Sequence, residues 1–196
     1  MSRIDTAIQN LRNNNIEAFY CETKAGVVPL VERLMSEGET VAVGWGLTLF
    51  ECGIIEHLRC GRYNFIDRYR AGLTQKEQND IYMDSFTADT YICTSDAVTE
   101  DGKIYNSGKC VNRSSAIEYG PKSVIVVVGR NKIAKDIGEA LNRSKMINDY
   151  KCTLGPVSDN STRISLANIP RSDYTVTEYQ RLKGRIKVII VGENIL

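Results

Sequence analysis

The sequence predicts an α/β fold with a mainly parallel central sheet flanked by helices. Along most of the 196 residues, short β-branched runs alternate with helical patterns, the order expected when crossover helices join parallel strands. The uninterrupted run Ser123–Val128 is typical of a central strand that is covered on both faces. The Asp101–Gly102 dipeptide, inside a strand-like segment at residues 97–105, adds a small antiparallel hairpin insertion.

The helices are predicted from apolar spacing and from helix-start motifs. The first helix follows Ser2 as its N-cap, and its apolar face is made by Ile4, Ala7, Ile8 and Leu11. Capping-box sequences at Thr48–Glu51 and Thr74–Glu77 predict the starts of two more helices. A further helical pattern runs through residues 27–34, where Pro29 must either bend the helix or lie near its start.

The strands are predicted from short apolar or β-branched runs. Apart from the hairpin, these runs lie at residues 16–20, 40–43, 63–66, 90–93, 123–128, 174–179 and 185–191. A last helix is expected around residues 136–147, and residues 150–185 form a polar stretch of the kind that is usually a functional or mobile loop. Because the length suits one hydrophobic core, we expect residues 1–196 to form a single domain.

Composition and charge narrow the classes of function. The 25 Lys and Arg nearly balance the 24 Asp and Glu, so we expect no binding to nucleic acid or membrane, and any anion site must be local. The six cysteines contain no CxxC pair, and no leader or membrane-spanning run is visible, which predicts a cytoplasmic protein with reduced thiols. With one histidine and scattered cysteines, the sequence predicts no metal site and no cofactor.

A glycine turn after the second predicted strand is the first candidate for ligand binding. Gly44 and Gly46 flank a tryptophan, and Thr48 follows at the expected start of a helix. Backbone amides at such a turn can hold a phosphate or a carboxylate. The alternative is a tight turn that only packs the helix against the sheet.

Two further candidate clusters carry cations. Arg130, Asn131 and Lys132 come directly after the central strand, at the edge where open α/β sheets bind ligands. They either contact an anion or form a solvated turn whose ion pairs contribute little. Asn112 and Arg113 belong to a polar loop after the hairpin that could grip a substrate.

Catalytic candidates are few. Glu100 is the first choice for an acid, base or nucleophile, although Asp67 and Asp101 are also carboxylates placed after strands or in turns. Cys110 lies between cations in the sequence and could act as a thiolate, whereas the single histidine, His57, is expected to have a surface or packing role.

Several runs of the sequence resemble the LUD-domain family of lactate-utilisation proteins, and the resemblance covers essentially the whole chain. The residues that carry it are TSDAVTEDGK at 94–103, NR at 112–113, YGPK at 119–122, VIVVVGRNKI at 124–133, GLTLFE at 46–51 and DRYRAGLT at 67–74.

The resemblance implies a NagB/RpiA/CoA-transferase-like fold. It also implies an accessory or regulatory component of an iron–sulfur oxidoreductase system that oxidises lactate to pyruvate, with iron–sulfur subunits as partners. The alternative is a small-molecule enzyme or sensor that binds a phosphorylated, CoA-type or folate-type anion at the carboxyl ends of the strands. Under both hypotheses the protein could form a homo-oligomer.

Overall fold

The computed structural model describes residues 2–107, 111–144 and 174–196. The helices are α1 (Arg3–Asn13), α2 (Val27–Leu34), α3 (Leu47–Glu51), α4 (Ile54–Leu58), α5 (Gln75–Ser85), α6 (Val111–Glu118) and α7 (residues 137–144). The strands are β1 (Glu17–Cys21), β2 (Thr40–Val43), β3 (Asn64–Ile66), β4 (Thr90–Cys93), β5 (Ala97–Thr99), β6 (Ile104–Ser107), β7 (Ser123–Gly129), β8 (Ile133–Ala134), β9 (Tyr174–Thr177) and β10 (Ile186–Val191).

Six strands form one sheet in the order β1-β10-β7-β4-β2-β3, and every neighbouring pair is parallel. The run that was predicted as the central strand is β7, an interior strand whose residues from Val124 onward are all buried. The predicted α/β class with a mainly parallel central sheet is therefore confirmed.

Both faces of this sheet are covered, which explains why β7 is apolar throughout. Val124, Val126 and Val128 belong to one core cluster, together with residues of α1 and α6. Ile125 and Val127 belong to a second cluster, together with residues of α2, α3 and α4. Successive strand residues point to opposite faces, so each β7 side chain is buried in one cluster or the other.

The predicted hairpin is confirmed as β5 and β6, which pair antiparallel. Its connection has three residues, because the Thr99 N–H donates to the Lys103 carbonyl at 2.9 Å and Gly102 takes a φ of +81°. The hairpin is also part of a larger sheet than expected. β8 and β9 pair with its two edges to give the mixed order β8-β5-β6-β9, which leaves neither hairpin edge open.

The helix starts agree with the sequence in three places and differ in one. Ser2 and Thr74 cap α1 and α5 with complete capping boxes, and Pro29 lies in the first turn of α2. The capping box predicted at Thr48–Glu51 is wrong, because α3 already begins at Leu47 and has no side-chain cap. The Thr48 hydroxyl instead bonds to groups outside the helix.

A buried arginine ties α6 to the end of the sheet at which β10 begins. Arg185, just before β10, donates hydrogen bonds to the carbonyls of Pro121 at 3.0 Å, Ile117 at 2.6 Å and Ala116 at 3.3 Å. These carbonyls lie at or just after the end of α6, where backbone acceptors lack helical partners. Arg185 therefore holds the C-terminal end of α6 against the sheet.

The remaining sequence predictions lie partly beyond the described residues. Most of the expected loop at 150–185 and the end of the helix at 136–147 fall outside them, and the single-domain prediction stays a prediction. Within the described ranges, no helix has the length and apolar character needed to cross a bilayer.

Candidate functional site

The side chain of Lys132 is the centre of a polar cluster at the carboxyl ends of the parallel strands. Its ammonium nitrogen Nζ donates to Thr94 Oγ1 at 2.9 Å, to Thr48 Oγ1 at 3.1 Å and to the Leu196 carbonyl oxygen at 3.2 Å. Lys132 follows β7, Thr94 follows β4, and Thr48 lies in α3 shortly after β2. The topology of the sheet therefore brings these three residues to one edge.

Lys132 is a partly buried cation that bonds to no side-chain carboxylate among the described residues. None of the ion pairs found among the described residues includes it. Burial lowers the pKa of Lys132 to about 8, and the charge of Asp96 opposes this only in part. At neutral pH the amine is still mostly protonated, but it lies close to its titration point.

An ion pair lies beside this cluster. Arg113 Nη2 bonds to Asp96 Oδ1 at 2.9 Å, and the backbone N–H of Ser107 donates to Asp96 Oδ2 at 2.7 Å. Burial raises the pKa of Asp96, but the charge of Arg113 and these hydrogen bonds outweigh burial, so that its pKa lies below the ordinary value. Asp96 is therefore ionised at neutral pH and adds a fixed negative charge near Lys132.

The glycine turn serves mainly to bring Thr48 to the end of β4. The N–H of Gly44 donates to the Ile92 carbonyl at 2.8 Å, and that of Gly46 to the Tyr69 hydroxyl at 3.3 Å, so both amides are used within the fold. A Cβ on Gly46 would lie 2.7 Å from Thr94 Cγ2, which requires glycine there. Close packing explains both glycines, whereas Thr48 contributes a hydroxyl to the Lys132 cluster.

The predicted residues Arg130 and Asn131 contact the C-terminal segment, residues 193–196. Asn131 donates from Nδ2 to the Ile195 carbonyl and accepts from the Ile195 N–H, both at 3.0 Å. Arg130 Nε donates to the Asn194 side-chain oxygen at 3.1 Å. Ile195 is buried, and these bonds hold the segment so that the carbonyl of the exposed residue Leu196 reaches Lys132.

Glu100 lies in a different group of contacts. Its carboxylate accepts a hydrogen bond from Arg3, and its backbone carbonyl accepts one from Asn10 Nδ2 at 2.7 Å, so both groups bond to α1, while its backbone N–H donates to the Ala134 carbonyl at 2.8 Å. Neither of these residues bonds to Lys132, so the structure does not bring Glu100 together with the cationic candidates. Glu100 stays a prediction without a described contact to them.

The other candidates are also separated from the Lys132 cluster. Asn112, in the first turn of α6, lines a cleft that also contains Arg68 and Tyr91. Asp67 accepts a hydrogen bond from Arg59 at 2.9 Å. Cys110 falls outside the described residues.

His57 packs as expected for a structural histidine. Its ring lies 5.6 Å from that of Tyr63, centroid to centroid, and its Nε2 is 3.6 Å from a Glu32 oxygen.

Sequence reasoning missed Thr94 and Asp96 as members of the site. Both follow β4 within three residues, in the polar run Thr94-Ser-Asp96. The rule that selects Gly44 and Arg130, polar or glycine residues directly after a predicted strand, selects this run as well.

Comparison with known proteins identifies the family and the fold. The LUD-domain family model matches residues 4–191. A DUF162 family protein from Deinococcus radiodurans is similar in structure, with 16% identity, coverage of 98% of this chain and 99% of that chain, and a TM-score of 0.57. Ribose 5-phosphate isomerase A from Methanocaldococcus jannaschii, at 16% identity, covers 86% of this chain and 93% of its own length with a TM-score of 0.46.

The sequence search among curated proteins finds no match. The family assignment therefore depends on the LUD-domain match, which spans nearly the whole chain and agrees with the resemblance seen in the sequence. The structural similarity to the DUF162 family protein adds that the fold extends over the same length. The chain belongs to the LUD-domain family.

Proposed function

We propose that this LUD-domain protein binds a small organic anion at the carboxyl ends of its parallel strands, with Lys132 as the cationic contact. The observation that carries the proposal is that Lys132 Nζ donates to two threonine hydroxyls and to a main-chain oxygen of Leu196, the last residue of the sequence, and to no described side-chain carboxylate. Withdrawing an ammonium from water is costly unless an anion accompanies it. A bound anion would offset that cost, which favours binding at this point.

The position of the Leu196 carbonyl indicates where a ligand oxygen would lie. This carbonyl accepts hydrogen bonds from Lys132 and from the Thr48 hydroxyl, and it belongs to a residue that is 72% exposed. A ligand carboxylate or phosphate oxygen can take the same two donors, with Thr94 as a third. These donors suit the phosphorylated, CoA-type and folate-type anions expected from the sequence, as well as simple carboxylates.

The charge balance of the site favours one anionic group. The negative charge of Asp96 is already paired with Arg113 at 2.9 Å, so Lys132 is the cation of this cluster that lacks a described side-chain carboxylate partner. Lys132 is also the residue to which we assign any proton transfer, because its pKa of about 8 lets it donate or accept a proton near neutral pH. Glu100, bound to Arg3, is placed second for that role.

A second proposed role is that of an accessory or regulatory component in lactate oxidation, in the cytoplasm and beside iron–sulfur subunits. The observation that favours it is the LUD-domain match over residues 4–191. The two roles are compatible, since an accessory protein can report the level of lactate or pyruvate to its partners by binding one of them.

The proposal is tested by thermal unfolding with lactate, pyruvate and inorganic phosphate as probes. At least one probe should raise the Tm of the wild-type protein, because a ligand that binds only the folded state stabilises it. Lys132→Gln should abolish the rise, whereas Lys135→Gln, which removes the charge of an exposed lysine three residues away, should retain it. No rise with any probe, or an equal rise in Lys132→Gln, would contradict the proposal.

A further inference from the structure

A carboxylate beside the Lys132 cluster has no described counter-charge. Glu51 is the last residue of α3, and its side chain is partly exposed. It takes part in none of the ion pairs found among the described residues. The hydrogen bond found for its carboxylate there is the one that Oε1 accepts from the Leu196 N–H, at 3.3 Å. Because this bond is long, Glu51 keeps most of its capacity to accept hydrogen bonds.

Glu51 and Lys132 are close enough to act on each other. Burial lowers the pKa of Lys132, and the negative charge of Glu51 opposes this effect. The main chain of one residue, Leu196, bonds to both side chains. Its N–H donates to Glu51, and its oxygen accepts from Lys132 Nζ at 3.2 Å. A carboxylate and an ammonium therefore bond to the two ends of a single amino-acid unit.

The atoms of Leu196 indicate which groups a ligand would place here. Its N–H and its main-chain oxygen are joined through the α-carbon and the carbonyl carbon, as are the amine and the carboxylate of a free α-amino acid. The hydroxyl and the carboxylate of an α-hydroxy acid have the same spacing. Leu196 as a whole is exposed, so these contacts hold main-chain groups and leave its side chain in solvent.

We propose that Glu51 is a second ligand contact of the Lys132 site, and that it selects acids with a hydrogen-bond donor on the carbon next to the acid group, as in α-amino and α-hydroxy acids. The inference rests on the proposed function, since it needs the acid group to bond to Lys132, Thr48 and Thr94. The ligand replaces the main chain of Leu196, and its amine or hydroxyl donates to Glu51. A ketone at that carbon has no proton to donate, so the carboxylate disfavours it.

Four three-carbon acids test the proposal because they differ only in the group next to the carboxylate. L-Alanine carries an ammonium, L-lactate a hydroxyl, propionate only hydrogen and pyruvate a ketone. In a two-dimensional NMR titration, alanine or lactate should bind the wild-type protein about tenfold more tightly than propionate, and pyruvate should bind no more tightly than propionate. The Leu196 amide signal should shift, because its N–H leaves Glu51. Tighter binding of alanine identifies the amine as the preferred donor, and tighter binding of lactate identifies the hydroxyl.

Glu51→Gln removes the charge with little change in size. Because the new amide nitrogen can donate to a ketone, pyruvate should bind more tightly than it does to the wild type, whereas alanine and lactate should lose about fivefold in affinity. The matched control is Glu56→Gln, on an exposed glutamate of α4 that pairs with Arg59 at 3.1 Å. It removes the same charge and should leave all four affinities unchanged.

If Glu51→Gln does not fold, Glu51→Asp keeps the charge but draws the carboxylate back by one methylene, and it should reduce the preference over propionate. Equal affinity of the wild type for all four acids, or equal losses in Glu51→Gln and Glu56→Gln, would overturn the proposal. Lys132→Gln separates the two claims, since it should abolish binding of every acid. Four equal affinities that all vanish in Lys132→Gln would leave the anion site intact without a role for Glu51, and no binding to the wild type would contradict both claims.

Discussion

Arg185 and Lys132 are both cations withdrawn from solvent, and they lie at opposite ends of the parallel sheet. Arg185 donates to three main-chain carbonyls around the end of α6. Lys132 donates to two threonine hydroxyls and to a main-chain oxygen of Leu196, an exposed residue that is the last of the sequence. Burial lowers the pKa of both, but only the lysine approaches the physiological range.

The difference shows how to tell a structural cation from a functional one. The partners of Arg185 are backbone acceptors that a helix end leaves unpaired, so the arginine completes the fold. The partners of Lys132 are hydroxyls, which can rotate, and an acceptor that an incoming anion can replace. We therefore expect Arg185 to contribute chiefly to stability and Lys132 chiefly to binding.

The largest expected effect is the loss of stability in Arg185→Met. Three buried carbonyls would lose their donor, so the free energy of unfolding should fall by about 3 kcal/mol. Urea denaturation measures it, and Arg185→Lys should recover only part of the loss because an ammonium cannot reach all three carbonyls in the same plane. If Arg185→Met is as stable as the wild type, the claim that Arg185 contributes chiefly to stability is wrong.

Lys132→Met should show the opposite pattern. Because the desolvation cost of the ammonium disappears together with its hydrogen bonds, the free energy of unfolding should change by no more than about 1 kcal/mol. Anion affinity, measured by calorimetry with the probe that raises the Tm, should fall about tenfold or more. A stability loss as large as that of Arg185→Met, with unchanged affinity, would make Lys132 structural as well.

The pH dependence sharpens the assignment to Lys132. Anion affinity should be constant below pH 8 and fall as pH rises through about 8, because the neutral amine no longer attracts the anion. Lys132→Arg, whose charge persists, should show no such fall. The stability contribution has the other sign: above pH 8 the unfolded chain binds the proton more tightly than the folded chain, so stability rises with pH until the ordinary lysine pKa is passed.

The smallest expected effect concerns the C-terminal segment. Asn131→Ala removes both bonds to Ile195 and should let the Leu196 carbonyl leave Lys132 more often. Since that carbonyl competes with the ligand oxygen, anion affinity should rise about threefold, roughly the value of one neutral hydrogen bond. Calorimetry checks this, with Asn194→Ala as the control for loss of the weaker contact to Arg130. A fall in affinity would contradict the competition.

The sequence alone predicts those elements whose structure depends on residues close together in the chain. The β-branched run Ser123–Val128 became the interior strand β7, and the capping box at Thr74 became the start of α5. Because ligand sites of parallel sheets lie after strand ends, the position of Lys132 directly after the central strand makes it a candidate from the sequence alone.

Long-range contacts account for what could not be predicted. Glu100 bonds to Arg3, which lies 97 residues away in the sequence. Asn131 is paired with Ile195, 64 residues away, and Thr48 is drawn from its predicted capping role to Lys132. No propensity or spacing within a short window contains these partners, since the fold alone brings them together.

The most direct test of the account is the titration of Lys132 itself, followed through its Cε signal by NMR with and without inorganic phosphate or pyruvate. We expect the Lys132 amine to have a pKa of about 8 in the free protein and a higher pKa once an anion is bound, because the anion stabilises the charged amine. An ordinary lysine pKa that neither anion changes would contradict the claim that Lys132 is a cation in need of an anionic partner.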